Sequence, residues 1–246
     1  MAHLLPQEEV EWDVVTGVSA GALNAGGISV WPIDKPVEMS EWLVNTWMNM
    51  TNEKVYIYWP GGLEEGIFNQ SGVFDTTPLM NLVTNILHEQ GKIYKKVTVS
   101  SVDSNTGEYI TSDEATVPFE EMAERVVASA SIPFVFPHRH IKNWTLMDGG
   151  TVWNSNLVSA KERCQEIVGD DLSNIVMDVI ILGQTTLNES LTTTGDSISN
   201  FLRYRDISSY YNNINDVAEF MDQYPNITYR YLFKSSKPLA SGIQSM

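Results

Sequence analysis

The stretch WDVVTGVSAGALNAGG, residues 12–27, decides how the rest of the chain reads. Trp12 to Val18 is an apolar run of strand length, residues 17–21 fit Gly-X-Ser-X-Gly, and Ala20 to Trp31 reads as a helix stopped by Pro32. A strand, a glycine-flanked serine and a helix in that order form a nucleophile elbow, a sharp turn that lifts the Ser19 hydroxyl above the sheet edge. Gly17 and Gly21 leave room where a Cβ would collide with the neighbouring strand or helix. The backbone N–H of Ala20, at the helix amino end, is the candidate oxyanion donor, because dipole and hydrogen bond act together there. The five-residue pattern alone also arises by chance, so its weight comes from the flanking strand and helix. A phosphate-binding loop is the rival reading, but no Lys-Ser/Thr follows Gly21, and Leu23 and Asn24 supply no charge.

Outward from the elbow, short apolar runs alternate with helical stripes, which predicts an α/β protein. Met39, Trp42, Leu43, Trp47 and Met50 recur at helical spacing. A second helix has Thr77 as cap, Pro78 in its first position, a stripe from Leu79 to Leu87, and Gly91 as its stop. VTVSSVD (97–103), SNTG (104–107) and EYIT (108–111) predict a hairpin. Helices are expected over 119–130 and 157–168, the latter ended by Gly169. The nearly continuous apolar run IVMDVIIL (175–182) predicts a strand buried on both faces, and ITYRYLF (227–233) a last strand.

Bulk properties narrow the function classes. Thirty-one acidic residues against fifteen Lys and Arg give a net charge of -16, which repels nucleic acids and anionic membrane surfaces, so no nucleic-acid partner is expected. A single cysteine, Cys164, excludes an internal disulfide framework and a cysteine-built zinc site. No apolar run reaches transmembrane length, and MAHLLPQEEVEW is unlike a signal peptide. The 246 residues can bury one large core, with no repeat or linker-like shift in composition, so a single domain over 1–246 is the expectation.

A serine nucleophile needs a base. The four histidines are His3, His88, His138 and His140, and none follows Asp148, so the chain order Ser, acid, His is met only by pairing Ser19 with His138 or His140 and an earlier acid such as Asp103. LMDGG (146–150) offers a more direct partner: Asp148 ends an apolar stretch, and Gly149 and Gly150 allow a tight turn around its carboxylate. A carboxylate hydrogen-bonded to the serine hydroxyl can act as general base without histidine. An ordinary turn is the competing reading of Asp-Gly-Gly. His138 and His140 flank Arg139 with no carboxylate or cysteine close in sequence, and read as a solvated loop rather than a metal site.

Taken together, GVSAGALNA (17–25), GIFNQSGVFDTTPL (66–79), VDSNTGEYI (102–110), ASASIPFVFP (128–137) and MDGGTVWNSNL (147–157) resemble the patatin-like phospholipase family, in the family's order and over most of the chain. The resemblance implies a three-layer α/β/α fold with a mostly parallel central sheet. It further implies a Ser/Asp dyad, Ser19 as nucleophile and Asp148 as base, that cleaves lipid acyl esters without calcium or any cofactor. The implied partner is a lipid substrate at a membrane or micelle surface. Family members carry a glycine-rich oxyanion loop upstream of the serine, whereas this chain has no glycine before Gly17. On the resemblance, the chain is N-terminally incomplete, a secretory route would need a signal peptide further upstream, and a catalytically impaired lipid-binding or interaction protein is the alternative function. KVYIYWPGG (54–62) is expected to pack in a core, with an acyl pocket or a lipid-facing surface as the alternative.

Overall fold

In the computed structural model, residues 10–181 and 197–234 are described. The chain divides into two compact units, Met1–Val152 and Trp153–Met246.

The first unit begins with β1 (Val14–Val18), the elbow, and α1 (Ala20–Ser29). Then come α2 (Pro36–Met48), α3 (Asn52–Val55), α4 (Gly62–Phe68), α5 (Thr77–Gln90), the hairpin β2 (Lys96–Asp103) and β3 (Tyr109–Asp113), α6 (Phe119–Ser129), and the hairpin β4 (Arg139–Ile141) and β5 (Trp144–Asp148). The expected α/β character is present, with a mixed sheet. β1 runs parallel to β2, while β3 and β5 run antiparallel to β2, and β4 antiparallel to β5.

The pairing around β2 places the elbow. β3 lies along one edge of β2 from Thr98 to Val102, so β1 and β5 share the other edge. β1 occupies it up to Val18 opposite Ser100, and β5, running the other way, ends with Asp148 opposite Ser101. The carboxyl ends of two strands far apart in sequence therefore meet at adjacent positions of β2.

Apolar packing holds this arrangement in place. Val97 and Val99 of β2 face a core built from Ala22 and Ala25 of α1, Leu79, Val83 and Leu87 of α5, and Met122, Val126 and Val127 of α6. A fully buried side chain of this size contributes about 1.5–3 kcal/mol. Helix α6 forms where the stripe demands it: Met122, Ala123, Val126 and Val127 recur on one face, and Glu120 and Glu121 sit in the first turn, where the helix dipole favours acids. Helix α5 ends at Gly91 as expected, with φ 73°. Its start differs from expectation. Thr77 lies inside the helix, and the Asp75 carboxylate accepts the Thr77 N–H at 2.8 Å, because an acid two residues ahead reaches the first free donor better than the threonine reaches its own turn.

Between the hairpin strands β2 and β3, buried Asp103 organises the turn, accepting the Thr145 N–H at 2.9 Å and the Thr106 hydroxyl at 2.8 Å. These donors, the Thr145 N–H first, hold its carboxyl below the usual aspartate range. A carboxyl depressed on folding stabilises fully above its unfolded value of about 3.9, and that contribution is lost as pH falls through the folded value. Asp103→Asn is therefore expected to lower the melting temperature at pH 7, with the gap to the parent narrowing below about pH 4. Thermal melts over a pH series check this, and a gap that stays constant down to pH 2 contradicts it.

The second unit pairs β6 (Val176–Ile181) in parallel with β7 (Thr228–Lys234), with α7 (Leu157–Val168) and α8 (Ser197–Gln223). Leu157, Met177, Val179, Val217, Phe220 and Ile227 form its core. Asp178 and Arg230 join the two strands by a forked ion pair. Strand β6 departs from expectation: Met177, Val179 and Ile181 are buried, whereas Val176 and Ile180 are about half exposed, at 53% and 48%. A continuous apolar run thus behaves as an alternating strand, because apolar character sets which residues may be buried and not which are. No helix among the described residues is long and apolar enough to cross a membrane.

Candidate active site

Ser19 sits between β1 and α1 with φ 58° and ψ -128°, a backbone conformation that costs an L-residue about 1–3 kcal/mol and is held by its surroundings. The turn is possible only because residue 17 is glycine. A Cβ there would lie 2.1 Å from the Gly21 carbonyl oxygen, so Gly21 fills the space that Gly17 leaves open. Ala20 is the first residue of α1 and is exposed, and its N–H belongs to the turn of donors that a helix cannot satisfy internally.

The Ser19 hydroxyl donates to Oδ2 of Asp148 at 2.5 Å. Asp148 is 5% exposed, and its second oxygen, Oδ1, accepts the Gly150 N–H at 2.7 Å. The Asp-Gly-Gly turn thus orients the carboxylate: Gly150 supplies the donor, and Gly149 allows the turn to press on β2. A Cβ on Gly149 would fall 2.4 Å from the Ser100 carbonyl oxygen and 2.9 Å from Cγ1 of Val18. The result is a buried acceptor directly behind a half-buried hydroxyl, an arrangement able to withdraw a proton from that hydroxyl.

The histidines are engaged elsewhere. Nδ1 of His140 lies 3.2 Å from Oγ1 of Thr145, and the backbone N–H of His138 donates to Oγ of Ser71. Burial depresses the His138 imidazole, with the nearby His140 adding to the effect. Asp103, the acid that a histidine version requires, spends its oxygens on the β2–β3 turn and Thr145. Within 54–62 the chain splits: Tyr56 packs on Phe74 with ring centroids 4.4 Å apart, while Ile57 and Tyr58 are exposed. Among the described residues no group of three or more His, Cys, Asp or Glu is placed to hold a metal ion.

The sequence reading assigned no role to two serines that touch this site. The Ser19 N–H donates to Oγ of Ser129 at 3.1 Å, and the Asp148 N–H donates to the Ser131 carbonyl at 2.9 Å. Both lie in ASASIPFVFP, where the alternation Ala-Ser-Ala-Ser at a helix end was the available signal.

A serine at a strand-to-helix turn, hydrogen-bonded to a buried carboxylate, gives this α/β unit a candidate nucleophile and a candidate base. The family model described as patatin-like phospholipase matches residues 1–161, and the chain belongs to that family, one of lipid acyl hydrolases. A search of curated proteins found no match. Among solved structures, VipD from Legionella pneumophila is 15% identical, with a TM-score of 0.21, and the alignment covers 83% of this chain and 45% of that one.

Proposed function

We propose that the chain hydrolyses acyl esters of phospholipids or related lipids, with Ser19 as nucleophile and Asp148 as general base, and that the chemistry uses no calcium. The observation that carries this reading is the 2.5 Å hydrogen bond from the Ser19 hydroxyl to the buried Asp148 carboxylate. Asp148 takes the hydroxyl proton as Oγ attacks the ester carbonyl, and the oxyanion forms near the Ala20 N–H at the positive end of α1. Collapse of the intermediate expels the alcohol, which receives the proton from Asp148. Water then attacks the acyl-serine, delivering a proton to Asp148 that returns to Ser19 as the fatty acid leaves.

A lipid surface as the place of reaction is supported by exposed apolar residues on the same unit. Ile57, Tyr58, Leu63, Ile67, Phe68 and Phe134 are all more than two-fifths exposed. The Val73 N–H donates to the Phe134 carbonyl, and Phe134 lies three residues after Ser131, whose carbonyl receives the Asp148 N–H.

An alkyl fluorophosphonate, which phosphonylates only an activated serine, tests the nucleophile. The parent chain is expected to be labelled at Ser19, as located by peptide mass spectrometry, and Ser19→Ala to lose both the label and the release of fatty acid from phosphatidylcholine micelles. A folded parent chain that resists the probe would overturn the reading and favour a lipid-binding role for the fold.

A further inference from the structure

The three-residue segment Ser129–Ala130–Ser131, at the end of α6, holds both halves of the candidate dyad by their backbones. On the nucleophile side, Oγ of Ser129 accepts the Ser19 N–H at 3.1 Å and donates its own proton to the Ser100 carbonyl at 2.5 Å. A serine hydroxyl has one proton and two lone pairs, so this single side chain can bridge an N–H on one partner and a C=O on the other. On the acid side, the Ser131 carbonyl accepts the Asp148 N–H at 2.9 Å, while the Ser131 hydroxyl turns back to the Val127 carbonyl at 3.0 Å. Ser129 and Ser131 are 0% and 1% exposed, so water does not compete for these groups.

The geometry points to Ser129 as a positioning residue for Ser19, an inference that rests on the hydrolase reading given above. The elbow backbone at Ser19 is strained, with φ 58°, and a strained conformation persists only where its surroundings over-determine it. The Ser129 hydroxyl is the acceptor that fixes the Ser19 N–H, and β2 anchors that acceptor through Ser100. Val18 lies opposite Ser100 in the sheet, and Gly149 presses on the same Ser100 carbonyl. The nucleophile, the acid turn and the end of α6 are thus referenced to one peptide of β2. Without the Ser129 oxygen the Ser19 N–H loses its acceptor, and the elbow relaxes by rotating Oγ away from Asp148. Ser129 touches neither substrate nor proton. It acts by keeping the attacking oxygen on its carboxylate, and displacement of a reacting group by about 1 Å can cost about 100-fold in rate.

The test compares the parent chain with Ser129→Ala and with Ser29→Ala. The second variant removes another fully buried hydroxyl, bonded to the Gly26 carbonyl at the far end of α1, and controls for the lost stability of any such group. For each folded protein, the phosphonylation rate at Ser19 is resolved into probe affinity and maximal rate, alongside the melting temperature and the NMR hydrogen exchange of the Ser19 amide. Ser129→Ala is expected to lower the maximal rate about 10- to 100-fold with unchanged probe affinity, and to speed exchange of the Ser19 amide. Ser29→Ala is expected to lower the melting temperature similarly while leaving both readouts at parent values. Ser129→Thr, which keeps the hydroxyl, is expected to recover most of the rate. Labelling of Ser129→Ala at the parent rate, or unchanged Ser19 amide exchange, overturns this inference and leaves the Ser19 nucleophile standing. Failure of the parent chain itself to label overturns both. If Ser129→Ala does not fold, the exchange rate of the Ser19 amide in Ser129→Thr decides: protection at the parent level supports the bridge, and its loss despite a retained hydroxyl sinks it.

Discussion

Asp148→Asn is expected to lower acyl-ester turnover by about 100- to 10,000-fold, the range for removing a positioned general base, while the protein stays folded. The amide keeps the size of the side chain and can still accept the Gly150 N–H that orients it, so the turn at 149–150 survives. What it loses is basicity at Oδ2, the atom that receives the Ser19 hydroxyl at 2.5 Å. Replacing His138 and His140 together by Ala supplies the contrast, with an expected change of no more than a few-fold. The His140 imidazole lies against Thr145, and β4, which carries His140, is separated from β2 by β5. Turnover of a soluble short-chain ester, followed beside the circular dichroism of each variant, separates the two cases. A collapse in the folded histidine double variant, with Asp148→Asn near the parent rate, would replace the dyad by the Asp103-based triad.

The second large effect falls on folding. Gly149→Ala is expected to destabilise the protein by about 3 kcal/mol, the upper end of the range for overpacking a tight interior. The added methyl would sit 2.4 Å from the backbone oxygen of Ser100 and 2.9 Å from Val18, and the backbone cannot turn aside as a flexible side chain would. For a protein of this size, that lowers the melting temperature by roughly 6–12 °C. Ser100 is also the peptide on which Ser129 rests, so labelling of Ser19 should fall in the surviving folded fraction. A melting temperature within 2 °C of the parent, at unchanged labelling, would mean that the Asp-Gly-Gly turn has room the structure does not contain.

Much of the fold was legible because its signals are local. The elbow announces itself within sixteen residues, by a change from apolar run to helical spacing across Gly17 and Gly21, and β1 and α1 lie within the ranges read from it. Helices α5 and α7 carry their own stops, Gly91 with φ 73° and Gly169 with φ 78°, and the β2–β3 hairpin follows from its alternation and its Ser-Asn-Thr-Gly turn. Helix α8 was not read at all. Its sequence from 197 to 223 is rich in Ser, Asn and Asp, yet Tyr204, Ile207, Tyr211, Ile214 and Met221 recur in it at helical spacing, a stripe the reading of the sequence did not take up, and Val217 and Phe220, which it buries, lie near its end.

The sequence by itself determined the elements with strong local signals, the presence of a glycine-flanked serine at a strand-to-helix turn, and the short list of acids and histidines able to serve it. It left Asp148 and the histidines as alternatives, because 129 residues separate Ser19 from Asp148 and no local rule spans that distance. The tertiary structure decided which of them meets Ser19. The register on β2 puts Val18 opposite Ser100 and Asp148 opposite Ser101, bringing two strand ends together from opposite directions. The role of the serines in ASASIPFVFP was likewise undecided until folding, since a side chain that bridges Ser19 and Ser100 is defined by three segments at once. Local geometry is encoded by neighbours along the chain, whereas proximity across a sheet is set by strand pairing and close packing, which the whole core selects together.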